Sequence, residues 1–211
     1  MDKKRAYIWD LDGTLLDSYE VIISSLYETY KEFGVELDRE LCHEHAIKFS
    51  VKSLIQELEE KRDIPYDAIK ARSSEISDTK MLEIKAIKDG KKVLETLEKS
   101  GADNYVFTHR GRSTEPVLKN LGMFECFKEI LTSKSGFPRK PEPDALIYLI
   151  DKYNLDKENT FYVGDRIIDM ECAKAAGIKG ILYMPAGSPC ESNGAETYIV
   201  RELMEICDIE K

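Results

Sequence analysis

What most restricts the folds open to this 211-residue chain is a rhythm. Short β-rich runs alternate with helix-length amphipathic stretches, interrupted once, early, by a long segment with no strand in it. Ala6 to Trp9 reads as a buried strand that ends at an acidic cluster. Ser18 to Phe33, Leu41 to Phe49, Lys52 to Lys61 and Asp67 to about Met81 then place apolar residues at helical spacing, with breaks at Gly34 and Pro65. From Asp89 the alternation resumes. Helices are predicted over Gly90 to Ser100, Thr114 to Leu121, Asp144 to Tyr153 and Ile167 to Ala176. The strands between them are Asn104 to Phe107, Glu129 to Leu131, Thr160 to Val163, Gly180 to Tyr183 and Tyr198 to Val200, the last leading into a short final helix.

Strands separated by helices of this length pair in parallel, because each parallel pair needs a crossover connection. The expected fold is therefore α/β: a Rossmann-like parallel sheet covered by helices on both faces, carrying an inserted all-helical domain. Residues 1–16 and 85–211 form the expected α/β core and residues 17–84 the insertion. Charge follows the same division. The chain has a net charge of −9, and the insertion holds sixteen acidic against nine basic residues. An excess of acid opposes nucleic-acid binding, which depends on clustered cations, so a phosphate-bearing ligand would have to meet a local positive feature. Lys3-Lys4-Arg5 is followed by only four apolar residues before Asp10, too few for an export signal, and no stretch approaches membrane-spanning length. The five cysteines, Cys42, Cys126, Cys172, Cys190 and Cys207, are odd in number and scattered, as a reducing compartment tolerates. A cytoplasmic protein with no membrane or nucleic-acid partner is expected.

Parallel sheets bind ligands at the carboxyl ends of their strands. Polar residues sit at several of those ends: Asp10, Asp12 and Thr14 after the first strand, Thr108 after the second, Lys140 beyond the third, and Asp165 with Asp169 after the fourth. Asp10 and Asp12 lie two apart, and Gly13 lets the backbone turn close to a bound group, so two carboxylates can share one site in different environments. One can serve as nucleophile while the other handles protons. Adding Asp165 to that edge is unfavourable unless a cation joins the carboxylates, and hard oxygen ligands point to Mg²⁺.

The segment Trp9-Asp10-Leu11-Asp12-Gly13-Thr14-Leu15-Leu16-Asp17-Ser18 resembles the opening motif of the haloacid dehalogenase-like hydrolase superfamily, in particular its phosphoglycolate-phosphatase-like branch. Thr108 after Tyr105-Val106-Phe107, Lys140 in Lys140-Pro141-Glu142-Pro143-Asp144, and Gly164-Asp165-Arg166 through Asp169 match the other three motifs in order. The resemblance covers the whole chain, since the helical insertion looks like that branch's mobile cap. It implies a Mg²⁺-dependent phosphatase acting on a small phosphorylated metabolite through an aspartyl-phosphate, as monomer or homodimer. Asp10 would be the nucleophile and Asp12 the acid and base. Asp10, Asp165 and the backbone carbonyl of Asp12 would hold the metal, with Asp169 in an outer role. Thr108 would bind a phosphoryl oxygen and Lys140 would steady the nucleophile.

Gly13, Thr14, His109 and Lys52 are the substrate-binding candidates. His109 and Arg110 stand where the branch often carries Asn and another residue, and Lys52 is a cation in an acidic insertion. Asp17 and Ser18 suit the start of the first inserted helix, with Ser18 structural. His43 and His45 alternate on a helix and so point apart, which disfavours a metal pair. A phosphosugar mutase of the same fold and a catalytically silent phosphate-binding or signalling relative are the alternative functions.

Overall fold

The computed structural model describes residues 4–62 and 64–209; Lys3 of the basic run lies outside them. In chain order the first elements are β1 (Ala6–Trp9), β2 (Leu16–Asp17), α1 (Tyr19–Glu32), α2 (Arg39–Lys48), α3 (Val51–Arg62), α4 (Tyr66–Thr79) and β3 (Lys85–Ala86). Then follow α5 (Gly90–Lys99), β4 (Asp103–Phe107), α6 (Thr114–Asn120), β5 (Ile130–Leu131), α7 (Asp144–Tyr153), β6 (Thr160–Gly164), α8 (Ile167–Ala176), β7 (Lys179–Tyr183) and β8 (Tyr198–Val200). The expected final helix is a 3₁₀ segment, Leu203–Asp208, and the end of the fourth inserted helix is likewise 3₁₀, at Met81–Glu83. Two compact units result: Met1–Asp17 with Ala86–Lys211, and Ser18–Lys85.

The first unit is built on a six-stranded parallel sheet in the order β5-β4-β1-β6-β7-β8. β1 sits in the middle, paired to β4 on one side and β6 on the other, so its alternating side chains are buried on both faces. Ala6 and Ile8 join Tyr105, Phe107 and Tyr162 under α7 and α8, where Leu146, Leu149, Cys172 and Ala173 complete one core. Tyr7 and Trp9 point the other way. Tyr7 stacks on Phe161 at 5.0 Å between ring centroids, and the Trp9 indole N–H donates to Asn104 Oδ1 at 3.0 Å. Asn104 in turn donates to the Leu94 carbonyl of α5 at 3.3 Å, so this buried amide is matched at both ends. Each of these large apolar side chains contributes about 1.5–3 kcal/mol by leaving water.

The second unit is four helices around Ile23, Leu26, Tyr30, Cys42, Ala46, Leu54, Ile55, Ile64 and Ile69. Asp38 caps α2 by accepting from the backbone N–H groups of Glu40 and Leu41 at 3.0 and 3.1 Å, which starts that helix at Arg39 rather than at Leu41. Ser18 occupies the N-cap position of α1 and is buried, but its side chain makes no capping hydrogen bond. Arg72 on α4 grips both carboxylate oxygens of Glu32 on α1 at 2.8 Å, an exposed pair that aligns the helices more than it stabilises them. His43 meets the Tyr19 ring edge-on, while His45 bonds Ser53 at 3.0 Å, so the two imidazoles do have separate partners.

Candidate active site

Asp10 is the first residue beyond β1. Its backbone N–H donates to the Val163 carbonyl at 2.8 Å, extending the pairing with β6 by one rung and fixing where the carboxylate stands. Thr108 is held in the same way beyond β4, its N–H on the Leu131 carbonyl at 3.0 Å. Sheet pairing thus carries two side chains from distant parts of the sequence to one edge. Lys140 joins them from the segment after β5, Asp165 from the turn between β6 and α8, and Asp169 from the first turn of α8.

The Lys140 ammonium is completely buried and bridges two carboxylates, 2.6 Å from Asp10 Oδ1 and 2.7 Å from Asp169 Oδ1. The rings of Phe107 and Tyr162 flank it at 5.3 and 5.2 Å, adding cation–π attraction. Burial pushes the Lys140 pKa down, but Asp10 and Asp169 outweigh it and hold the ammonium above its ordinary value. Asp10 is pushed up to about 6, first by burial, with Lys140 and Arg166 opposing and Asp169 adding to the rise. Its Oδ2 is buried without a hydrogen-bond partner.

Three carboxylates, Asp10, Asp165 and Asp169, each offer an oxygen such that the three oxygens lie within 4.8 Å of one another. An all-oxygen donor set with one orphaned buried oxygen fits a hard divalent cation. Asp169 has further partners: Oδ1 also lies 3.3 Å from the Tyr162 hydroxyl, and Oδ2 accepts from the Arg166 N–H at 3.2 Å. Those contacts suit an orienting role. Gly164 makes room for it, because a Cβ there would fall inside the Asp169 side chain.

The other expected site residues have the following surroundings in the fold. Thr14 is fully buried, and its hydroxyl donates to Asp165 Oδ1 at 3.2 Å while its N–H donates to the Leu11 carbonyl, so it braces that carboxylate. The N–H of Gly13 is likewise committed, to the Leu16 carbonyl at 2.8 Å, and the residue's φ of +84° is what glycine supplies. His109 Nε2 accepts the backbone N–H of Lys140 at 2.9 Å, and the Arg139 guanidinium lies 3.0 Å from Nδ1. Its pKa is driven down to about 2 by burial and by the charges of Lys140, Arg139 and Arg166, so the ring is neutral and fastens the Lys140 loop. Lys52 is exposed in the first turn of α3, in the helical unit.

Arg110 was not a candidate from sequence. Its Nε and Nη2 donate to Asp12 Oδ1 at 3.0 and 2.5 Å, and its Nη1 to Ser113 Oγ at 3.0 Å. Its backbone N–H donates to Thr108 Oγ1 at 3.1 Å, which leaves the threonine hydroxyl to donate its own proton elsewhere. A cation two residues past Thr108 carries no sign of the carboxylate it will meet.

Carboxylates and a buried lysine thus meet at the carboxyl edge of a parallel sheet, where α/β folds bind their ligands. The chain belongs to the haloacid dehalogenase-like hydrolase family, whose model matches residues 7–183. It is similar to pyrophosphatase PpaX of Bacillus velezensis, 25% identical over 97% of this chain and 95% of that protein. A phosphoglycolate phosphatase of Pseudomonas fluorescens is 26% identical over 83% of this chain and 67% of its own length. A crystal structure of a predicted phosphoglycolate phosphatase from Haemophilus somnus shares the fold with a TM-score of 0.86 at 20% identity, over the whole of both chains. Among the described residues no helix is long and apolar enough to cross a membrane.

Proposed function

We propose that this hydrolase is a Mg²⁺-dependent phosphatase that cleaves the phosphate monoester of a small metabolite through an aspartyl-phosphate on Asp10. The observation that carries the reading is the Asp10 carboxylate itself, with Oδ1 held by Lys140 and Oδ2 buried and partnerless. Such an oxygen suits either attack on phosphorus or a cation. Asp10 would attack phosphorus, the bond to the leaving oxygen would break with its electron pair going to that oxygen, and Asp12 would supply the proton. Asp12, now a carboxylate, would take a proton from water as that water attacks the aspartyl-phosphate, returning the electron pair to Asp10. Thr108 would donate to a phosphoryl oxygen, and Lys140 would keep the nucleophile aimed. Asp10, Asp165 and the Asp12 carbonyl would hold Mg²⁺, with Asp169 orienting the set. Bound there, Mg²⁺ supplies the positive charge that lets an anionic ester approach an anionic nucleophile.

On the same reading the helical unit is the cap that selects the substrate, with Lys52 its candidate anion contact, and the protein works in the cytoplasm as monomer or homodimer without nucleic acid or membrane. Relatives named pyrophosphatase and phosphoglycolate phosphatase supply the first compounds for a substrate panel. Release of p-nitrophenol from p-nitrophenyl phosphate tests the chemistry: turnover should require Mg²⁺ and vanish in Asp10→Asn. Mg²⁺-dependent turnover surviving in that variant would remove the nucleophile. With a hexose 1-phosphate, free phosphate rather than the 6-phosphate should appear.

A further inference from the structure

We infer that Arg110 is a positioning residue that pins Asp12 so that a single oxygen, Oδ2, gives and takes the proton in both halves of the reaction. The inference rests on the acid–base role proposed above for Asp12. Two N–H donors of one guanidinium converge on Asp12 Oδ1, at 3.0 and 2.5 Å, and an oxygen so occupied by a cation does not carry the acidic hydrogen. The hydrogen is thereby confined to Oδ2.

Arg110 is itself well fixed. It is 8% exposed, its Nη1 is anchored on Ser113 Oγ, and its backbone N–H is on Thr108 Oγ1. One residue therefore links the hydroxyl that binds the phosphoryl group to the carboxylate that serves the leaving group. If the separation between those two groups changed, the proton would be offered away from the bond being broken, and proton transfer is steep in such distances.

Leaving groups distinguish positioning from stability. kcat/KM covers the steps up to departure of the alcohol, so it reports the donation of the proton and not its later recovery. p-Nitrophenolate departs without much help, whereas phenolate needs the acid. Arg110→Ala and Arg110→Lys should therefore lose at least about tenfold more kcat/KM on phenyl phosphate than on p-nitrophenyl phosphate, within the range general acids supply. Ser113→Ala, which removes only the anchor, should shift the same ratio in the same direction by less, and it serves should the Arg110 variants fail to fold. Equal losses on both esters in every folded variant would overturn the inference. In metal-free protein the Arg110 Nε–H resonance should be slow to exchange with water and become fast in Asp12→Asn; the same exchange in both proteins would also overturn it. Asp12→Asn separates the two levels of the argument. Selective loss on phenyl phosphate there but not in the Arg110 variants refutes the pinning alone, and no selectivity in Asp12→Asn refutes the acid role on which it stands.

Discussion

Replacing His109 with Asn should make the protein less sensitive to mild acid, by an amount that follows from where the ring sits. In the folded chain His109 accepts the Lys140 N–H and faces the charges of Lys140, Arg139 and Arg166, and burial with those charges brings its pKa to about 2. Unfolded, the ring returns to about 6.5. The folded value is depressed, so the unfolded chain binds the extra proton between the two, and the stability that depends on a neutral ring is present above about pH 6.5 and lost as pH falls towards 2. At about 1.4 kcal/mol per pH unit below the unfolded value, going from about pH 7.5 to about pH 5 removes about 2 kcal/mol. Asp10 works in the opposite sense, since its pKa is raised from 3.8 to about 6 and the folded state holds its proton more tightly. That contribution is common to wild type and variant and cancels. Asn keeps an acceptor for the Lys140 N–H but does not titrate. Urea melts at the two pH values should show wild type losing about 2 kcal/mol more than His109→Asn, with m unchanged. Parallel losses in the two proteins would mean that the imidazole takes up its proton in the folded state, and the tie to Lys140 would have to be abandoned.

Two further perturbations test the carboxylate cluster. Gly164→Ala places a methyl group inside the Asp169 side chain, and should cost about 1–3 kcal/mol in chemical denaturation while lowering turnover, because Lys140 loses one of its two anchors. Mg²⁺ should raise the melting temperature of the wild type, by roughly 2–4 °C for each kcal/mol of binding linkage, and do so much less in Asp165→Asn; an equal rise in both would place the ion elsewhere.

The elements that were legible in the sequence are those whose patterns are long or sharply bounded. β1, α7, α8 and β8 begin and end where the apolar rhythm and its flanking residues put them, and β1 lies at the centre of the sheet because its run is apolar on both faces. β2 and β3 were not legible, each being two residues with no apolar run to mark it, whereas the equally short β5 falls within the run read from Glu129 to Leu131. The start of α2 was missed although its signal was present, an Asp followed at once by the N–H groups it accepts. In the site, Asp10, Thr108, Lys140, Asp165 and Asp169 could be placed on one edge by topology alone. Which atoms they touch could not. Thr14 and His109 could be placed near the site from their motifs, but not their partners in the fold, Asp165 for Thr14 and Lys140 for His109. Arg110 shows the converse: its partner lies 98 residues away, and no local pattern encodes a distance of that kind.

The sheet tapers towards its margins. Its inner strands run to four or five residues, while the outermost, β5 and β8, have two and three. A margin with so few rungs gives an incoming chain little to zip onto, so runaway growth of the sheet from molecule to molecule is checked by geometry. The densely apolar middle strands can then be buried on both faces without making the finished molecule a seed for fibres.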